Sequence, residues 1–114
     1  SAAASRDSLS RPARPLATYA GHYEDAWYGG VDITLTGDKL AIQFGHTPVL
    51  LGDLSHWQYE TFLVRWRDRE LRADAFITFT LGPDGKVSEA RMAPASPSVD
   101  FSFDFQDLRL IPKR

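Results

Sequence analysis

Along residues 74–92, Ala75, Ile77, Phe79 and Leu81 alternate with Asp74, Phe76, Thr78 and Thr80, and Gly82-Pro83-Asp84-Gly85 then leads into a second extended run. A period of two places alternate side chains on opposite faces of a strand, while Pro83 presets a turn and Gly85 accepts a positive φ at no steric cost, so the stretch predicts a β-hairpin. The same pattern recurs upstream. Val31, Ile33 and Leu35 alternate with Asp32, Thr34 and Thr36, Gly37-Asp38 reverses the chain, and Leu40, Ile42 and Phe44 alternate with Ala41 and Gln43. Residues 16–23 lead into a first strand, 49–54 predict another, and Phe62, Val64 and Trp66 share one face of 61–66 before the charged Arg67-Asp68-Arg69-Glu70. Val87 lies out of phase with Ala90 and Met92, which requires a bulge near Ser88-Glu89. Phe101, Phe103 and Phe105 alternate with Ser102, Asp104 and Gln106 and predict a strand, with a bend near Gln106-Asp107 to restore the phase of Leu108 and Leu110. No segment has a helical period. About eight short sequential strands predict an all-β fold, a single antiparallel up-and-down barrel that removes free edges, with a two-sheet sandwich as the rival.

With 114 residues the chain is sized for one domain with a true core. Residues 1–15 hold Pro12, Pro15 and three scattered arginines with little bulky apolar content, so they read as a linker or tail, leaving 16–114 as the barrel. The start at Ser1, not Met, suggests a trimmed segment joined to something upstream. A net charge of −2 argues against a nucleic-acid partner, and the absence of cysteine excludes disulfides, thiol catalysis and Cys-ligated zinc. No apolar run reaches the roughly 18 residues of a membrane-spanning helix.

Candidate chemistry is sparse. His22, His46 and His56 lack the i, i+2 or i, i+4 spacing of paired metal ligands, so no metal is expected. The carboxylates Glu24, Asp25, Asp53, Glu60 and Asp74 would have to converge in pairs to serve glycoside chemistry, and their ordinary role is as solvated strand and turn positions. No serine stands in a Gly-x-Ser-x-Gly or Ser-x-x-Lys motif, and no glycine-rich loop precedes a helix, so neither a catalytic residue nor a cofactor site is assigned. The aromatics Trp27, Tyr28, Trp57, Tyr59 and Trp66, together with His56, form the ligand or interface set. Core filling or interface anchoring is favoured over a ligand site for these aromatics. Residues 54–62 are expected to form a structural corner in which Trp57 and Phe62 turn into the core while His56 and Glu60 hydrogen-bond backbone groups of the connection.

Tyr19-Ala20-Gly21-His22-Tyr23-Glu24, the His56-Trp57-Gln58-Tyr59-Glu60-Thr61-Phe62 segment, and Ala75-Phe76-Ile77-Thr78-Phe79 with Pro83-Asp84-Gly85-Lys86-Val87 together resemble the lipocalin-like domain found C-terminal to serine β-lactamase-like hydrolases of the class C and penicillin-binding-protein type. The resemblance runs from about Leu16 to Leu110. It implies an antiparallel barrel whose partner is a hydrolase domain of the same chain. The catalytic serine and lysine would lie on that other domain, and a periplasmic or secreted location follows. The expected function is therefore a non-catalytic accessory barrel, with no cofactor. The alternative is a small-molecule-binding barrel using Trp27, Trp57 and Trp66 around an internal cavity, which the bulky set Phe44, Phe62, Phe79, Phe101, Phe103 and Phe105 disfavours. A third reading, self-association, rests on Trp27-Tyr28 and on strand edges.

Overall fold

In a computed structural model that describes residues 10–95 and 105–113, the chain forms a closed antiparallel barrel in which each strand pairs with its sequence neighbours. The strands are β1 (Gly21–Asp25), β2 (Gly29–Thr36), β3 (Lys39–Phe44), β4 (Leu51–Gln58), β5 (Thr61–Trp66), β6 (Ala75–Leu81), β7 (Val87–Pro94) and β8 (Arg109–Pro112). The barrel closes where β8 returns to β1 through Tyr23↔Pro112 and Glu24↔Ile111. This is the up-and-down barrel that the alternation predicts, and the sandwich is set aside. The upper rim carries the β1–β2, β3–β4 and β5–β6 connections, and the lower rim carries the β2–β3, β4–β5 and β6–β7 turns.

Period-two patterning translates directly into the core. Tyr23, Val31, Ile33, Leu40, Ile42, Phe44, Phe62, Val64, Ile77 and Phe79 all point inward and are buried. The phase slip in β7 is a bulge as expected: Thr80 pairs with Glu89 and Leu81 with Val87, so Ser88 is the extra residue and Val87 and Ala90 both face inward. A second bulge had no counterpart in the pattern. His56 pairs with Phe62 and Gln58 with Thr61, which leaves Trp57 as the inserted residue of β4.

Each rim is closed by aromatic side chains. At the lower rim the 3₁₀ turn Leu16–Thr18 delivers Tyr19 into the barrel, where its ring lies 5.2 Å from Phe62 and 4.9 Å from Phe79. Its hydroxyl donates to Glu60 Oε2 at 2.6 Å, and its carbonyl accepts from the Tyr23 hydroxyl at 2.8 Å. Burial, reinforced by the Glu60 carboxylate, pushes the Tyr19 phenol above its ordinary range. At the upper rim Trp66 is buried, donates its indole N–H to the Ala73 carbonyl at 2.7 Å and stacks on Phe105 at 5.7 Å. Gly52 sits where a Cβ would come within 2.9 Å of both Trp66 and Val64, so the close approach of β4 to that indole requires glycine.

Three expectations are corrected. Phe105 is not on a strand: it opens the 3₁₀ turn Phe105–Asp107, and its burial against Trp66 explains why an apolar residue stands there. Phe101 and Phe103 lie outside the described residues. The strand placed at 49–54 begins at Leu51 and runs to Gln58, because the preceding residues are taken up in a turn where Leu50 N–H donates to the Thr47 carbonyl at 2.9 Å and Phe44 N–H to the Leu50 carbonyl at 3.0 Å, with the Gln43 amide bonding the Pro48 and Leu50 carbonyls at 3.2 and 3.3 Å. Trp57 is not in the core: it keeps the outward phase of Asp53 and Ser55, opposite to Leu54 and His56, and lies half-buried on the outer wall with its ring 5.0 Å from Phe76. Its neighbours behave as expected in part. Phe62 is buried and His56 Nε2 donates to the Tyr59 carbonyl at 2.8 Å, whereas Glu60 reaches away from the connection to the Tyr19 hydroxyl and the Ala13 N–H. Residues 10–15 run along this rim, where Ser10 Oγ accepts from the Tyr59 N–H at 2.9 Å.

Candidate functional site

Period two carries Asp25 into the inward register above Tyr23, a buried position for a carboxylate. Such a group is stable only if its oxygens are satisfied. Oδ2 accepts from the backbone N–H of Trp27 at 2.8 Å and of Tyr28 at 3.0 Å, while Oδ1 accepts from Arg109 N–H at 2.7 Å, 84 residues away. One carboxylate thus shapes the β1–β2 turn and fastens the first residue of β8 to it. Gly29 completes the turn at φ +75°, and a Cβ there would collide with the His46 ring. The product of this frame is Trp27. It is 91% exposed, while Tyr28 beside it folds inward, edge-on to Phe44 at 5.3 Å.

Trp27 stands between two open depressions. One, of about 410 Å³, is lined by Asp25, Trp27, Tyr28, Asp107 and Leu108. The other, of about 470 Å³, shares Asp25, Trp27 and Asp107 and adds the basic Arg109 and Lys113 with Glu24. A larger cavity of about 690 Å³ lies beside Lys39, Arg65, Arg67 and Arg69, but Arg67 is engaged by Asp53 at 3.0 Å and Arg69 by Asp74 at 2.8 Å. Arg65 also stands 3.9 Å from Asp74, so most of the basic side chains of that surface belong to an ion-pair network.

The six aromatic and imidazole candidates do not converge. Trp27 and Tyr28 share the upper rim, His56 and the 58% exposed Tyr59 lie at the lower rim, Trp57 is on the outer wall and Trp66 is core. Of these ligand or interface candidates, the Trp27 turn, with Tyr28 as its base, presents the most exposed large aromatic. The five carboxylates do not converge either: Asp25 is a structural acceptor, Glu60 serves Tyr19, and Asp53 and Asp74 pair with arginines. His22 forms a polar cluster on the outer wall, with Nδ1 2.7 Å from Asp32 and Nε2 3.5 Å from Glu24. The hydrogen bond to Asp32 raises its pKa above the ordinary histidine value. Among the described residues no three groups come together as a metal site.

Asp107 is the lining residue that sequence reasoning missed. It sits in a bend read only as a change of strand phase, and nothing in local spacing signals that it faces a turn more than 70 residues earlier.

A family model, described as a domain of unknown function (DUF3471), matches residues 5–112, nearly the whole chain and every strand of the barrel. The chain belongs to the DUF3471 family. No curated protein and no solved structure matches it.

Proposed function

We propose that this DUF3471 barrel is a non-catalytic accessory module that docks on a serine hydrolase domain of the β-lactamase and penicillin-binding-protein type in the same chain. The resemblance of its sequence motifs to the domains that follow such hydrolases motivates the partner. The observation that carries the docking role is Trp27, which is 91% exposed on a turn held by two hydrogen bonds to a buried carboxylate that a third, from Arg109 N–H, fastens to β8. Leaving an indole in water forgoes the favourable burial of a large apolar surface, and fixing its backbone removes the entropy that a partner would otherwise have to quench. Tryptophans presented this way are characteristic interface anchors.

An internal ligand is the weaker reading. Tyr19, Phe44, Phe62, Trp66 and Phe79 fill the interior with ring-to-ring contacts between 4.9 and 6.0 Å, leaving the aromatic volume to the core itself.

The isolated chain is expected to show no turnover of β-lactam, ester or D-aminoacyl substrates. Turnover that is lost on changing one residue of the barrel would overturn the non-catalytic role. The reading frame upstream of Ser1 should encode a hydrolase domain with a Ser-x-x-Lys motif, and a frame without one would remove the proposed partner. In the full-length protein Trp27→Ala should uncouple the two domains, seen as two calorimetric transitions where the parent shows one.

A further inference from the structure

The depression of about 410 Å³ beside Trp27 has a chemistry of its own. Among the described residues its lining consists of two aromatic residues, the apolar Leu108 and two carboxylates, with no cation. The two acids are not equivalent. Asp25 already accepts three backbone N–H groups. Asp107 is exposed on its 3₁₀ turn, and among the described residues no basic side chain pairs with it. The nearby cations line the other depression, which Asp107 also borders, and turn to other acids: Arg109 Nε donates to Glu89 at 2.7 Å, and Lys113 Nζ stands 4.0 Å from Glu24.

An exposed indole face next to a carboxylate that has no ion-pair partner among the described residues favours positive charge. Tryptophan has the strongest ring quadrupole of the aromatic side chains and attracts cations placed over its face. Of the protein cations, guanidinium is planar, weakly hydrated and able to stack on the indole while its edge forms paired hydrogen bonds to a carboxylate, whereas ammonium is compact and strongly hydrated. A neutral sugar would use the ring but leave the charge of Asp107 unanswered. The volume falls within the roughly 300–1,000 Å³ of small-ligand sites, ample for a guanidinium and its alkyl stem.

We propose that this depression receives an arginine side chain from the docking partner, its guanidinium held between the Trp27 indole and the Asp107 carboxylate. The source of the arginine rests on the docking role proposed above; the preference for guanidinium is a property of this chain alone.

The test titrates the isotope-labelled chain with N-acetyl-arginine methylamide and follows the tryptophan indole N–H resonances. Trp27 and the Asp107 amide are expected to shift saturably with a dissociation constant on the order of 1–10 mM, the range open to one side chain. Trp66, whose indole N–H is bonded to Ala73 inside the core, serves as the silent reference. The uncharged citrulline analogue should produce no saturable shift. Asp107→Asn and Trp27→Ala, each checked for a dispersed native spectrum, should weaken binding at least about tenfold, the scale of a charge-assisted contact. Equal binding of the citrulline analogue, absence of any Trp27 shift, or an Asp107→Asn variant that binds as the parent does would overturn the proposal. If arginine binding fails while Trp27→Ala still uncouples the domains in the full-length protein, the guanidinium is wrong and the docking role stands. If arginine binds as expected and Trp27→Ala leaves the domains coupled, the docking role falls and the guanidinium site stands.

Discussion

The two rims of the barrel are built from similar residues and put them to opposite uses. At the lower rim Tyr19 is drawn wholly inside, its hydroxyl satisfied by Glu60 and its ring packed on Phe62 and Phe79. At the upper rim Trp66 closes the core in the same manner, yet Trp27, on another connection of that rim, is left in water. The difference lies in where the polar partner sits. Tyr19 and Trp66 each carry a polar group that finds an acceptor inside the fold, so burial costs them little. At the β1–β2 turn the buried acceptor, Asp25, is taken up by backbone N–H groups, and the side chain of Trp27 is directed outward.

Substitutions can break this comparison in order of effect. Trp66→Ala removes a large buried ring from between Phe44 and Phe105 and should cost about 3–5 kcal/mol in urea unfolding. A loss below about 1 kcal/mol would mean that the upper rim is not closed by Trp66. Asp25→Ala strips the acceptor from three N–H groups and should cost about 2–4 kcal/mol, and it should also lower the steady-state anisotropy of Trp27 fluorescence by loosening its turn. Trp57→Ala exposes only a half-buried contact with Phe76 on the outer wall, so about 1–2 kcal/mol is expected in the same unfolding assay. A penalty equal to that of Trp66→Ala would return Trp57 to the core. Trp27→Ala should change stability by less than about 0.5 kcal/mol, the usual range for a surface side chain without structural contacts. A larger loss would make Trp27 a structural residue and remove the contrast between the rims.

What the sequence discloses follows from the range of the forces involved. Strand alternation is local, so the hairpins at 31–44 and 75–94 and the bulge at Ser88 are legible from residue order alone. Trp66 is legible too, because it keeps phase with Phe62 and Val64. Alternation misleads at Phe105, where the inward face is reached through a 3₁₀ turn; at Trp57 the bulk of the indole misleads, because the phase of Asp53 and Ser55 already puts that position on the outer wall. The site is harder to read. Asp25 looks like an ordinary turn acid, and its bond to Arg109 becomes visible only when the barrel closes. The depression beside Trp27 joins residues 25–28 to residues 107–108 for the same reason.

Asp25 also ties the exposed turn to the weakest seam of the barrel. Strand β8 has four residues and meets β1 and β7 through two residue pairs each, so its amides should be the first of the ladder to exchange with solvent. Because Asp25 Oδ1 holds Arg109 N–H while Oδ2 holds the Trp27 turn, any occupant that steadies the turn steadies the seam. Slower deuterium uptake along Arg109–Pro112 would then report on events at Trp27, which makes the closing strand a built-in gauge of whether the barrel is docked.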